Sequence, residues 1–138
     1  MAAVAGEPTE AQLAFLRDNP FVGVVTTLRP DGSPHSTVVW VDVDDGGAVS
    51  FNTARGRAKP RYLARDPRLS LTVVDPGDPF RWVALSGTAE LVDEGADGQI
   101  DRLAKKYLGQ DAYPWRGPDE RRVSVRIAVE KVDGTGVE

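Results

Sequence analysis

Between Phe21 and Val132 this 138-residue chain is cut into short apolar runs by clusters of Pro, Gly and Asp, and that punctuation limits the folds open to it. Short alternating runs separated by turn residues build β-structure, and closing such a sheet on itself removes its exposed edges. Phe21 to Leu28 and Ser36 to Val43 read as two strands. The hexapeptide Arg29-Pro30-Asp31-Gly32-Ser33-Pro34 turns between them, because Pro30 pre-sets φ and Gly32 accepts positive φ. Asp44-Asp45-Gly46-Gly47 leads to a third strand, Ala48 to Asn52, which makes a three-stranded meander the expectation. Leu69 to Val74 and Trp82 to Val92 follow, with Gly87 marking a bulge or a barrel bend. Val123 to Val132 closes the chain as a sixth strand, its Val and Ile side chains alternating with Ser124, Arg126 and Ala128.

Three helices fit between these runs. Thr9 to Asn19 carries a capping box, Thr9 with Gln12, and buries Leu13, Phe15 and Leu16. Lys59 to Arg65 is entered through Pro60 in its first turn and ended by Asp66-Pro67. Asp97 to Leu108 repeats apolar residues at helical spacing and stops at Gly109, while Gln110 to Glu120 is a Pro/Gly-rich loop. The expected fold is therefore mainly β, a six-stranded antiparallel barrel or curled sheet with three flanking helices, in one domain over residues 1–138.

Composition narrows the function. Without cysteine the chain has no disulfide, thiolate metal site or cysteine nucleophile, and its lone histidine, His35, reads as a turn residue and nucleates no metal site. The net charge of −4 opposes binding to nucleic acid or an anionic membrane, so any anion site has to be local. No apolar run approaches the ~20 residues of a membrane span. Met1 to Thr9 lacks the pattern of a signal peptide, and a cytoplasmic protein is expected. Thirteen arginines against four lysines point to a GC-rich bacterial, for instance actinobacterial, genome.

The stretch from Asn52 to Arg61 carries the most chemistry. Arg55, Arg57 and Lys59 alternate with Gly56 and Ala58, so an extended backbone would aim all three cations one way. They also precede a helix start, where the macrodipole disfavours cations unless an anion is bound. A phosphate or carboxylate ligand answers that conflict; a solvated basic turn is the plain alternative. Trp40 and Trp82 either border an aromatic ligand or pack in the interior. Asp75, Asp78, Asp93, Glu94 and Asp97 fall in turns without the pairing of a carboxylate dyad, and read as solvated loop residues. No nucleophile elbow, P-loop or dinucleotide fingerprint follows a strand.

Taken in order, several segments resemble the F420-binding branch of the pyridoxamine 5′-phosphate oxidase-like split barrels. They are Val24 to His35, Val39-Trp40-Val41, Arg55 to Lys59, Leu63 to Arg68, Phe80 to Val83, Gly87, Lys106 to Gly109 and Tyr113-Pro114. The resemblance implies a split barrel, a homodimer, and F420, a 5-deazaflavin, in clefts at the subunit interface. It places Ser36, Thr37, Val38 and Trp40, with Phe51, Asn52 and Thr53, along the deazaflavin ring. It assigns the phosphate and oligoglutamate tail to Arg55, Arg57 and Lys59, and brings Trp82 to the cofactor. Many relatives have Asn where this chain has Tyr62. The implied activity is F420-dependent hydride transfer with a small unsaturated or quinone-like substrate, with no catalytic side chain named. A non-catalytic F420 carrier and an FMN enzyme of the oxidase type are the alternatives. F420 uses a cationic track better than FMN, because a phosphodiester with several carboxylates outreaches one phosphate.

Overall fold

The computed structural model describes residues 6–138; the first five residues of the segment read for a leader lie outside them. The helices are α1 (Glu10–Asp18), α2 (Ala58–Arg65) and α3 (Ala96–Leu108). The strands are β1 (Gly23–Leu28), β2 (Pro34–Val39), β3 (Val41–Val43), β4 (Val49–Ala54), β5 (Arg68–Asp75), β6 (Asp78–Val92) and β7 (Arg122–Thr135). The expected caps form: Thr9 Oγ1 accepts from Gln12 N while Gln12 Oε1 accepts from Thr9 N, and Gly109 ends α3 at φ 72°.

All pairings are antiparallel, in the order β2-β1-β5-β6-β7-β4-β3. This corrects two sequence-based expectations. The sheet has seven strands rather than six, because the run Ser36 to Val43 breaks at Trp40. The halves do not continue a meander: β2 pairs with β1 and β3 with β4, at opposite ends of the order. Two edges joined by one residue force the sheet to curl until its ends meet, which makes a curled antiparallel sheet of the split-barrel kind. Sequence alternation cannot show such a corner, since both halves keep apolar residues inward.

Val25, Val41, Phe51, Leu71, Val73, Val83, Leu85 and Val125 fill the curl, each at most 1% exposed. α1 packs on β3, α2 on β1, β4 and β6, and α3 on β7, β4 and β3. Two side chains of α3 pin the corner. Lys106 Nζ donates to Leu16 O (2.7 Å) and Val41 O (2.8 Å), and Tyr107 Oη donates to Phe21 O (2.7 Å) while accepting from Val41 N (3.0 Å). Burial pushes Lys106 down to about 8, against the pull of Asp42 and Asp18.

Gly87 is a bend, as its place in a long strand suggests. The β6–β7 register slips between Ser86 and Gly87, leaving Glu130 as the extra residue, and a Cβ on Gly87 would lie 1.9 Å from Ala128 O. The atoms it would meet are backbone of β7, held in the strand pairing with no room to retreat. Gly87→Ala is expected to cost about 2–3 kcal/mol; urea unfolding monitored by tryptophan fluorescence measures it, and a variant as stable as the wild type would contradict the packing described.

Candidate functional site

The corner at Trp40 opens one wall of a cleft of about 160 Å³. β4 supplies its floor. All six β4 residues are buried, because one face of the strand meets the core and α3 covers the other. Asn52 and Thr53 therefore both line the cleft although they point to opposite faces, while Phe51 is sealed in the core. Val38, Val39 and Trp40 form one wall, Ile100 and Leu103 of α3 the other, and Tyr113 and Trp115 stand over it from the connection to β7. Trp40 has a double role: its indole stacks on Tyr107 at 5.3 Å and 7°, meets Tyr113 edge-on at 6.1 Å, and still lines the cleft.

Arg122 dominates the floor electrostatically. Its side chain is 3% exposed, with Nε donating to Asn52 Oδ1 (2.8 Å), Nη1 3.0 Å from Glu120 Oε1, and the guanidinium 5.1 Å from the centre of the Tyr113 ring. Asn52 is itself held from behind. Its amide donates to Ala96 O (2.8 Å) and Gln99 Oε1 (2.9 Å), and Gln99 Nε2 donates to Ser50 Oγ (2.9 Å) and Asp42 Oδ2 (3.2 Å). A connected, buried network of this kind fixes the guanidinium in one orientation.

The predicted cationic comb is not extended. The backbone turns at Gly56 (φ 90°), Arg57 is the N-cap of α2, and Lys59 lies in its first turn. The three side chains therefore diverge. Arg55 makes a bidentate pair with Asp93 (2.9 Å for each bond) away from the cleft, while Arg57 and Lys59 line it. Burial pushes Lys59 below its ordinary value, with Arg57 and Arg122 acting in the same direction. Arg57 and Arg122 share one carboxylate, Glu120, which Arg57 Nη2 reaches at 3.3 Å and Arg122 Nη1 at 3.0 Å, and Lys59 lines the cleft beside them.

Of the predicted site residues, Val38, Trp40, Asn52, Thr53, Arg57 and Lys59 come together here. Ser36, Thr37, Arg55 and Trp82 do not line the cleft. Ser36 Oγ instead bonds Thr26 Oγ1 at 2.8 Å on the outer face of the sheet, and Trp82 lies on β6 opposite Val74 and Thr135. His35 sits within β2 rather than in the turn, its ring edge-on to Tyr62 at 5.4 Å. Asp75 and Asp93 are not merely solvated, since Arg81 and Arg55 hold them. Two buried polar groups on the floor are incompletely satisfied among the described residues: Thr53 Oγ1 has no hydrogen-bond partner, and Arg122 Nη1 meets Glu120 Oε1 at 3.0 Å without an aligned hydrogen bond. A floor of incompletely satisfied polar groups beneath surplus cations suits an anion.

A family model described as pyridoxamine 5′-phosphate oxidase matches residues 8–136. The chain belongs to the pyridoxamine 5′-phosphate oxidase family. Its relatives include an F420H(2)-dependent biliverdin reductase of Mycobacterium tuberculosis, 29% identical over 126 residues, covering 89% of this chain and 85% of that protein. A pyridoxine/pyridoxamine 5′-phosphate oxidase of Pseudomonas paraeruginosa is 25% identical over 122 residues, 82% of this chain and 51% of the oxidase, so the chain spans about half of that relative. Among solved structures, an F420 reductase aligns with TM-score 0.74 at 25% identity, over 87% of this chain and 94% of its own. A conserved hypothetical protein of Mycobacterium tuberculosis aligns with TM-score 0.71 at 26% identity, over 98% and 89% respectively.

Arg122, Tyr113 and Trp115 are cleft residues that sequence reasoning did not single out as site residues. Arg122 carried no local signal of burial. It falls in phase with Ser124 and Arg126, the polar side of the last strand, and the fold covers that side with α3. Asn52→Ala is expected to destabilise the protein by about 2–4 kcal/mol, because it strips a buried guanidinium of its acceptor. Guanidinium chloride unfolding tests this; a loss below about 0.5 kcal/mol, the scale of an ordinary surface change, would contradict the network.

Proposed function

We propose that this protein is an F420-dependent reductase, passing hydride between reduced F420 and a small unsaturated or quinone-like compound. One observation carries the reading: three cations converge on a cleft with a single carboxylate among them, in a chain whose net charge is −4. Such local inversion of charge draws a polyanion out of solution. FMN offers one phosphate, whereas F420 offers a phosphodiester and a row of carboxylates, which spreads charge along Arg57, Lys59 and Arg122. The F420H(2)-dependent biliverdin reductase among the relatives supports the same cofactor, and the Pseudomonas oxidase keeps FMN as the second reading.

When bound, the deazaflavin would supply the hydride chemistry itself. The chain's own residues would bind and orient. Arg122 and Thr53 would receive an anionic group on the floor, Arg57 and Lys59 would hold the tail at the rim, and Val38 and Trp40 would flank the ring. Water is kept from the deep side by Ile100 and Leu103. Arg55 belongs to this reading only as an outer contact, after exchange from Asp93.

We further propose that residues 1–138 act as one domain in a cytoplasmic homodimer with the cofactor at the interface. A cleft of about 160 Å³ falls short of the ~300 Å³ at which small-molecule sites begin, as expected of a half-site. Next to it, the outer face of the sheet exposes Val24, Val38 and Val74, with Trp82 paired to Val74. Phe80, 81% exposed, extends this apolar face, which a second copy would cover. Ser36 and Trp82 would then reach the cofactor across the interface.

Titrating the protein with F420 and FMN side by side decides the cofactor; preferential FMN binding would overturn the reading. Lys59→Ala is expected to weaken F420 binding about tenfold, and Arg57→Ala, half exposed, about threefold, each with a shallower salt dependence. Unchanged affinity and salt slope in both variants would remove the tail site. In sedimentation velocity the wild type is expected as a dimer and Val24→Asp as a monomer, so a monomeric wild type would refute the shared site.

A further inference from the structure

Glu120 stands where an anionic ligand's own charge would go. It ends the connection between α3 and β7, and it is only 13% exposed although its neighbours Asp119 and Arg121 are open to solvent. Its Oε1 lies 3.3 Å from Arg57 Nη2 and 3.0 Å from Arg122 Nη1, bridging two guanidiniums that come from the start of α2 and the start of β7. Two guanidiniums converging on one oxygen is also the arrangement that grips a phosphate. The fit is incomplete. Glu120 Oε2 is buried with no donor, and Arg122 Nη1, despite its short approach, makes no aligned hydrogen bond among the described residues.

We infer that Glu120 is a specificity-determining resident counter-ion: it occupies the cationic seat in the free protein, and a ligand's anionic groups must displace it to bind. This rests on the reading of the cleft as a polyanion site. A single carboxylate entering the seat only replaces like with like. A ligand with clustered phosphate and carboxylate groups engages Arg57, Arg122 and Lys59 together, and returns the Glu120 carboxylate to water. Glu120 thereby sets a threshold of charge that weakly anionic molecules do not reach, while its bond to both arginines prevents the unliganded cations from repelling one another. Displacement is local: Glu120 N bonds Gly117 O at 3.3 Å in a short turn, so swinging the side chain out breaks no strand pairing.

The test is calorimetric titration of wild type and Glu120→Gln with inorganic pyrophosphate and with F420. Removing the resident carboxylate is expected to tighten both ligands roughly threefold to tenfold and to steepen the salt dependence, since the seat gains net positive charge. Thermal melts accompany the titrations, and Glu120→Ser, which has no carboxylate and less volume, replaces the Gln variant if that fails to fold. Equal or weaker binding of both ligands by the carboxylate-free variant overturns the displacement idea and makes Glu120 part of the binding platform. Wild type that binds pyrophosphate but not F420, with the variant tighter, upholds Glu120's role while refuting the cofactor reading. No binding of either anion by either protein overturns the polyanion site and Glu120's role together.

Discussion

A nearly buried guanidinium beneath an open cleft is the constraint around which the rest of this molecule is arranged. Leaving Arg122 without partners would cost several kcal/mol, so the surrounding side chains are committed to it. Asn52 accepts from Nε, Glu120 neutralises one edge, and Tyr113 presents its ring. Asn52 can do this only because Gln99 and the carbonyl of Ala96 hold its amide, and Gln99 in turn is anchored on Ser50 and Asp42. The chain of donors and acceptors thus runs from the cleft floor through α3 to the strand after the corner, linking the position of the helix to the chemistry of the site.

This arrangement explains how an acidic protein can present a basic surface where one is needed. Most arginines here are spent on neighbouring carboxylates, as with Arg55 on Asp93, Arg68 on Asp66, Arg81 on Asp75 and Arg126 on Asp44. Such exposed pairs contribute little to stability, on the order of 0–1 kcal/mol each. They do cancel charge. Around the cleft the cancellation is left unfinished, with Arg57, Lys59 and Arg122 set against the one carboxylate of Glu120.

Much of the architecture was legible in the sequence because it is local. The capping box at Thr9, the end of α3 at Gly109 and the turn through Pro30 to Gly32 each depend on residues close along the chain. Failures arose where distant segments decide. The break at Trp40 depends on Tyr107, sixty-seven residues later, offering a flat surface and a hydroxyl to the next strand. The comb of Arg55, Arg57 and Lys59 was legible as a cluster but not in its geometry, since Asp93 draws Arg55 off and Gly56 redirects the chain. Arg122 belonged to a face that alternation alone assigns to solvent, and only the docking of α3 turns that face inward. The family resemblance named the right family, without fixing which side chains meet within one subunit.

The single-residue corner has a consequence for how the protein would respond to occupancy. Trp40 joins the two margins of the sheet and forms part of the cleft wall, so whatever rests against its indole also braces the seam that closes the fold. Occupancy and global stability are then coupled through one side chain, and a ligand need not contact the interior to protect it from opening.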